Sequence, residues 1–423
     1  MKCVLYVSAL MWGAVAWAQT PPQPQAKPVQ DWHLAAVLQR VDEANLDVLS
    51  ARRAVDAAKA DQLSAAVTPP AQFSLLSQSI DPQHMGSGTL WHRPIDTIAR
   101  IDKTLERGDK AALRERQADV GLAAARWDEA DALRAQRMAA AQAYWDLKLA
   151  QEQLGISDHN LQLAQQSSQA AQLRLQHGDL SRLEALRLAV EADKAANEQA
   201  QSRTQLTQAR MVLAQALAMV NGAAPQAVDA WPDIRALGEQ VPDEDWLTSR
   251  PDVLAAQRRL EQAQSALALA QSQRVADVTV SVQFEHNPTV ADRLWGVGVA
   301  FPIGVDGRQE GPVKRALIAV DDAQSQLDKV RAAALADRNV QRDTLTSALA
   351  RLQRLDGQLL PQAREALQGA EFARQQGALS LQDVLDARRA LHAAELDAAT
   401  AHADAAKAWV ALTMTSEVKA EMP

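Results

Sequence analysis

The stretch QQGALSLQDVLDARR, residues 375–389, decides how the rest of the chain is read. Long Ala- and Gln-rich helical patterns run into it and out of it. Gly377 interrupts them where a residue without Cβ takes positive φ at no steric cost. Ser380 stands three residues before Asp383, the spacing of a capping box that starts a new helix. The stretch predicts the tight turn of a long helical hairpin. The same turn occurs earlier in QHGDLSRLEALRLAV, residues 176–190, with Gly178 as the breaker and Ser181 and Glu184 as the box. Gly377, Ser380 and Asp383 each follow their counterparts by 199 residues. One chain carries two copies of one hairpin.

The duplication extends outward from the tips. PDVLAAQR at 251–258 matches LDVLSARR at 46–53 at an offset of 205, so the second copy has lost a few residues before its tip. Internal repetition on this scale sets the organisation before any local assignment does. Residues 1–18 read as a secretory signal: Lys2, an apolar run, then Ala16-Trp17-Ala18 as the cleavage pattern. Residues 19–30 form a Pro- and Gln-rich linker. The first repeat covers 31–222: a helix over 32–63, a β-hairpin at about 71–105, and a helical hairpin with its tip at 178. The first long helix, from 109 to about 176, has one expected irregularity at Gly155, and Asn221-Gly222 stops the return helix. Residues 223–246, with Pro225, Pro232, Pro242, Trp231 and Trp246, read as a linker packed on the body. The second repeat covers 247–414, with a β-hairpin at about 277–304, a long helix interrupted at Gly357 and Pro361, and its tip at 377. A tail occupies 415–423.

Composition narrows the class. The chain has 423 residues, 47% of them apolar but only 4% aromatic. That suits long helices packed through small side chains better than several thick cores. The net charge is −8, and loss of the leader with Lys2 makes it one unit more negative, which disfavours nucleic-acid binding. The single cysteine, Cys3, leaves with the signal, so neither a disulfide, thiolate chemistry nor a lipid anchor is expected. No apolar run after the signal is long enough to span a bilayer as a helix. A membrane crossing therefore requires strands.

The clearest strand lies at 277–286. Val278, Val280, Val282 and Phe284 point one way, and Thr279, Ser281, Gln283 and Glu285 the other. Such a strand fits a half-buried soluble sheet, or a barrel with lipid outside and water inside. Four strands cannot close a membrane barrel, for which eight is the smallest number. Strands pooled from three chains give twelve.

The duplicated layout, the segment SRPDVLAAQRRLEQAQSALALAQ (249–271) and the tip QQGALSLQDVLDARRAL (375–391) resemble the TolC-type outer membrane efflux proteins. The resemblance implies a mainly α fold with a small β part: a homotrimer with a 12-stranded barrel in the outer membrane and an α-helical tube across the periplasm. The lipid-facing strand is then Val278, Val280, Val282 and Phe284. It also implies docking of the tips, Gly178, Leu180, Ser181, Glu184, Gly377, Leu379 and Ser380, to a periplasmic adaptor protein that joins an inner-membrane pump of the RND type. Asp383 and Asp386 match the carboxylates that narrow the family's periplasmic entrance. Asp383 is equally explained as a capping-box residue, and Asp386 as part of a solvated helix face. Position 187 is Arg, so the first tip lacks the acidic pair, and Leu379 stands where the family carries a latch arginine.

The segment RIDKTLERGDKAALRER (100–116) is similar to the cobalt-zinc-cadmium branch of that family, which implies heavy-metal cations as cargo. Multidrug efflux and type I secretion remain alternatives, as does a soluble periplasmic coiled-coil adaptor or scaffold. No metal-ligand spacing supports a bound metal; His84 and His92 read as exposed loop residues. No nucleophile elbow, phosphate loop or zinc spacing points to an enzyme, and no cofactor is expected.

Overall fold

The computed structural model describes residues 29–80, 83, 95–219, 223–233, 246–287, 290–303 and 309–416. The leader, the linker up to residue 28, His84, His92, Asn221, Gly222, Gly304, Gly307 and the tail lie outside the described residues.

The chain begins with β1 (Val29–Trp32), followed by α1 (Leu34–Ala44) and α2 (Leu46–Ala65). The single helix expected over 32–63 is therefore a strand and two helices. Asn45 makes the break: its side chain accepts from the backbone N–H groups of Asp47 and Val48, which caps α2. It also donates to the carbonyl of Ala216 at 3.0 Å, so one buried amide serves the start of one helix and the end of another. Strands β2 (Gln72–Gln78) and β3 (Asp96–Leu105) come next. Then α3 (Lys110–His177) runs unbroken for 68 residues, about 100 Å at the usual helical rise. It passes through Gly155 without irregularity: an exposed glycine costs about 1 kcal/mol relative to alanine, too little to break a long helix.

The return helix α4 (Arg182–Ala216) stops five residues short of the Asn221-Gly222 signal. Ala218 takes a left-handed φ of 53°, and the Met219 N–H bonds back to the carbonyl of Ala214. Strand β4 (Ala224–Ala227) pairs in parallel with β1, and Gln151 on α3 brackets Ala227 by bonding both its N–H and its carbonyl. Residues 223–233 of the expected linker thus lie against the body, with Trp231 packed on the main core. The second repeat follows as α5 (Trp246–Ser249), α6 (Pro251–Ser272), β5 (Val278–Asn287), β6 (Ala291–Ala300), α7 (Glu310–Arg354), a π-turn (Leu355–Leu359), α8 (Leu360–Gln375) and α9 (Leu381–Ser416). The π-turn contains Gly357 and hands over to α8 just before Pro361, where the sequence predicted an interruption.

The helices form layers one helix thick. Toward the β end α2, α3, α6 and α7 lie side by side; toward the tips α4, α3, α9 and α7–α8 do so. The main core lies at mid-height, where Val37, Val41, Tyr144, Leu147, Leu213 and Leu217 meet Ala401, Ala405, Ala406 and Val410. Alanine on α9 lets backbones approach closely, which explains a well-buried core with few large side chains. Single-layer packing also leaves apolar side chains exposed along the layer edges, among them Leu183, Leu186 and Val190 on α4 and Ile318 and Val340 on α7.

Candidate functional site

Two features at opposite ends of the molecule carry the functional reading. The first is the sheet. All four strands join in the order β2-β3-β5-β6, so the two hairpins of the two repeats merge through β3 and β5. Directly paired residues share a face. Val278, Val280, Val282 and Phe284 therefore lie on one face with Ile101, Phe73, Leu75, Trp295, Val297 and Val299. This apolar face is open: Trp295 is 76% and Val297 88% exposed. Phe284 packs edge-on against Trp295 at 5.2 Å. The opposite face carries Gln72, Ser74, Arg100, Asp102, Thr104, Thr279, Ser281 and Gln283. There Arg100 pairs with Asp102 at 2.8 Å and the hydroxyls of Thr104 and Thr279 meet at 3.1 Å. Neither outer strand, β2 or β6, has a partner on its far side among the described residues.

The second feature is the pair of tips. Gly178 and Gly377 adopt φ of 81° and 75°. Each turn closes with the same two backbone bonds: Gly178 and Asp179 donate to the carbonyls of Leu175 and Arg174, Gly377 and Ala378 to those of Arg374 and Ala373. Both capping boxes form. The Ser181 hydroxyl accepts from the Glu184 N–H and the Glu184 carboxylate accepts from the Ser181 N–H; Ser380 and Asp383 repeat the exchange at 3.3 and 2.9 Å. A small apolar cluster of Ala171, Leu180, Ala185, Leu188, Leu381 and Leu385 sets the two tips side by side, while Leu379 stays partly exposed.

The two candidate gate carboxylates are held differently. Asp383 accepts from the hydroxyl and backbone N–H of Ser380, which keeps its carboxyl below the usual range. Asp386 is not a bare solvated residue: Arg389 pairs with it at 2.9 Å, and the Gln382 amide donates to it at 3.1 Å. The same Arg389 reaches Glu191 on α4 at 2.5 Å. Arg388 pairs with Glu371 at 2.8 Å and donates to the Ser167 hydroxyl at 3.0 Å, and His392 meets Glu198 at 2.7 Å.

These cross-hairpin pairs were missed by reading motifs along the chain, because their partners lie 194 and 198 residues apart. The repeat offset of 199 held the signal: equivalent positions of the two copies sit side by side, so opposite charges near that separation are neighbours.

Among the described residues no group of three or more His, Cys, Asp or Glu side chains is placed to hold a metal ion. Among them, too, no helix is long and apolar enough to cross a membrane.

Comparison with known proteins gives the context. Residues 244–415 match the family described as Outer membrane efflux protein. The cobalt-zinc-cadmium resistance protein CzcC of Cupriavidus metallidurans is 25% identical over 367 residues, 86% of this chain and 84% of that protein. Among solved structures, CusC superposes with a TM-score of 0.77 at 18% identity, over 94% of this chain and 98% of its own. The outer-membrane channel OprN superposes at 0.77 and 19% identity, over 90% and 89%. The duplicated helical hairpins and the two-faced sheet agree with the fold of these solved channels, and the match to the outer membrane efflux protein family covers residues 244–415.

Proposed function

We propose that the protein is the outer-membrane channel of a tripartite efflux system and that it carries heavy-metal cations. It acts as a passive conduit, not as an enzyme. The observation that carries the channel reading is the four-stranded sheet, apolar and exposed on one face, polar on the other, and unpaired at both edges among the described residues. A strand edge in lipid must find a partner, because unpaired N–H and C=O groups there cost several kcal/mol each. Edge-to-edge joining of three such sheets gives twelve strands, with Val278, Val280, Val282 and Phe284 toward lipid and the Arg100, Asp102 and Gln283 face toward water. The apolar edges of the helical layers close in the same operation, one chain's α4 against the next chain's α7–α8.

The tips then stand at the periplasmic end. Gly178, Leu180, Ser181, Glu184, Gly377, Leu379 and Ser380 form the surface offered to an adaptor protein, through which the channel meets an inner-membrane pump. Asp383 and Asp386 line the entrance, six carboxylates in a trimer, and favour cations over anions there. Metal cargo is supported by the likeness to the cobalt-zinc-cadmium resistance protein along most of both chains.

The test is genetic and electrical. Deletion of the gene is expected to sensitise cells to cobalt, zinc or cadmium, with restoration by the wild-type gene. Sensitisation to organic toxins alone overturns the cargo assignment and leaves the channel. Recovery of the protein as a monomer in the soluble periplasm overturns the channel. Asp386→Asn and Asp383→Asn are expected to lower cation preference in a bilayer reversal-potential measurement, and unchanged selectivity overturns their gate role.

A further inference from the structure

We infer that Arg293 on β6 binds the headgroup phosphate of an outer-leaflet lipid whose acyl chains lie on the apolar face of the sheet. This rests on the channel reading above, which turns that face toward lipid. Strand pairing sets the side chains in rows. Leu75, Ala99, Phe284 and Trp295 make one row, each paired with the next. One pleat further from the helices, Ser77, Thr97 and His286 make another. The apolar surface stops between these two rows. Ser77 and Thr97 bring their hydroxyls to 3.4 Å, and His286 is buried. The ladder also slips at this level: Glu285 pairs with Leu294 but Asn287 with Ala291, so Asp292 and Arg293 share the place opposite His286. Bulges of this kind re-aim a side chain. Arg293 is exposed here, as Trp295, Val297 and Val299 are further along the strand.

The height of the strand places Arg293 at the membrane surface. The ten residues of β6 measure about 30 Å along the strand, or about 25 Å of height at the usual barrel tilt. That is the height of the apolar band of an outer-membrane barrel. The helices leave the sheet at its other end, so the turn between β5 and β6 points outward and Arg293 lies near the outer margin. An arginine facing lipid costs about 2–4 kcal/mol at the midplane and close to nothing at the interface, where its apolar stem lets the guanidinium reach the headgroups.

The charges on the sheet select a phosphate. Asp96, Asp102 and Glu285 all lie on the opposite, polar face. Among the described residues no carboxylate pairs with Arg293. Lys103 shares its face but sits toward the helical end, where its ammonium donates to the Pro69 carbonyl at 2.8 Å. Arg293 is therefore the cation on this face with its donors free, beside the exposed hydrocarbon surface of Trp295 and Val297. A guanidinium matches two phosphate oxygens at once. A phosphorylated lipid satisfies both the charge and the apolar surface.

The test uses the full-length protein reconstituted in phosphatidylcholine vesicles. In one series the phosphatidylcholine carries brominated acyl chains; in the other, the brominated lipid is phosphatidic acid. Bromine quenches tryptophan on contact, and Trp295→Phe identifies the share due to Trp295. Brominated phosphatidic acid is expected to quench that share with a relative binding constant about fivefold above brominated phosphatidylcholine, the scale of one arginine at a charged lipid surface. Arg293→Gln is expected to remove the preference and Arg293→Lys to keep part of it. Equal binding of the two lipids by wild type, or a preference undiminished in Arg293→Gln, overturns the site. Loss of the preference on adding inorganic phosphate assigns the site to free phosphate and overturns the lipid. If neither brominated lipid quenches any fluorescence that Trp295→Phe removes, the face does not meet lipid and the channel reading is what fails.

Discussion

Ser281 on β5 lies over Gly298 on β6, so closely that a Cβ at Gly298 would stand 2.6 Å from the Ser281 Oγ. Gly296 is covered in the same way by Gln283, whose Cγ would be 2.9 Å from a Cβ there. The glycines on the polar face make room for polar side chains lying flat across the sheet. Gly298→Val is therefore expected to overpack this face and cost about 1–3 kcal/mol. The measurement is thermal unfolding of the detergent-extracted protein. Pairing Gly298→Ala with Ser281→Gly is expected to recover most of the loss.

The two tip glycines have nothing within 4 Å of a built Cβ, so their requirement is conformational only. Gly178→Ala and Gly377→Ala should each cost about 1–2 kcal/mol, the usual penalty for a side chain in the left-handed region. Because the tips lie far from the main core, the effect should appear as faster amide exchange at the turns, with little change in global melting.

Asn45 offers a sharper stability test. Asn45→Ala removes the cap of α2 and leaves the Ala216 carbonyl without its donor in a site where Asn45 is 5% exposed. A lost cap costs about 1 kcal/mol and an orphaned buried acceptor about 1–3 kcal/mol. Chemical denaturation should report roughly 2–4 kcal/mol, and Asn45→Asp should recover the cap but not the bond to Ala216.

Asp229 gives a pH dependence with a definite sign. Burial alone would raise its carboxyl, but bonds from the Leu34 N–H, His33 and Tyr144 outweigh burial and hold it below the usual range. A carboxyl depressed in the folded state contributes stability above its unfolded pKa and loses it as pH falls through the folded value. Acidification below the ordinary carboxylate range should therefore loosen β1 and α1 from the mid-height core. Trp32 fluorescence would follow the change, and Asp229→Asn should flatten that part of the pH profile.

Much of this architecture was legible because it rests on local rules applied twice. Gly178 and Gly377 with their capping boxes announced the tips, and the alternation at 278–284 announced a two-faced strand. The π-turn fell where Gly357 and Pro361 weaken a helix. Other features escaped because their cause is not local. The break at Asn45 looks like one more polar position on a helix until Ala216 is brought beside it. Gly155 looked like a defect, yet cooperative helix on either side carried through it. The end of α4 is set by Ala218 in a left-handed conformation that no local signal requires.

The sequence by itself determined the class of the molecule: a duplicated chain, long helices, two tips, two strand hairpins and no span-length apolar helix, since periodicity, glycine and proline act through nearest neighbours along the chain. Only the tertiary structure decided that the two strand hairpins merge through β3 and β5. It alone also decided that Arg389 answers Glu191 while holding Asp386, because a pairing between repeats depends on which helix faces come together, and those faces are chosen by packing across the whole layer.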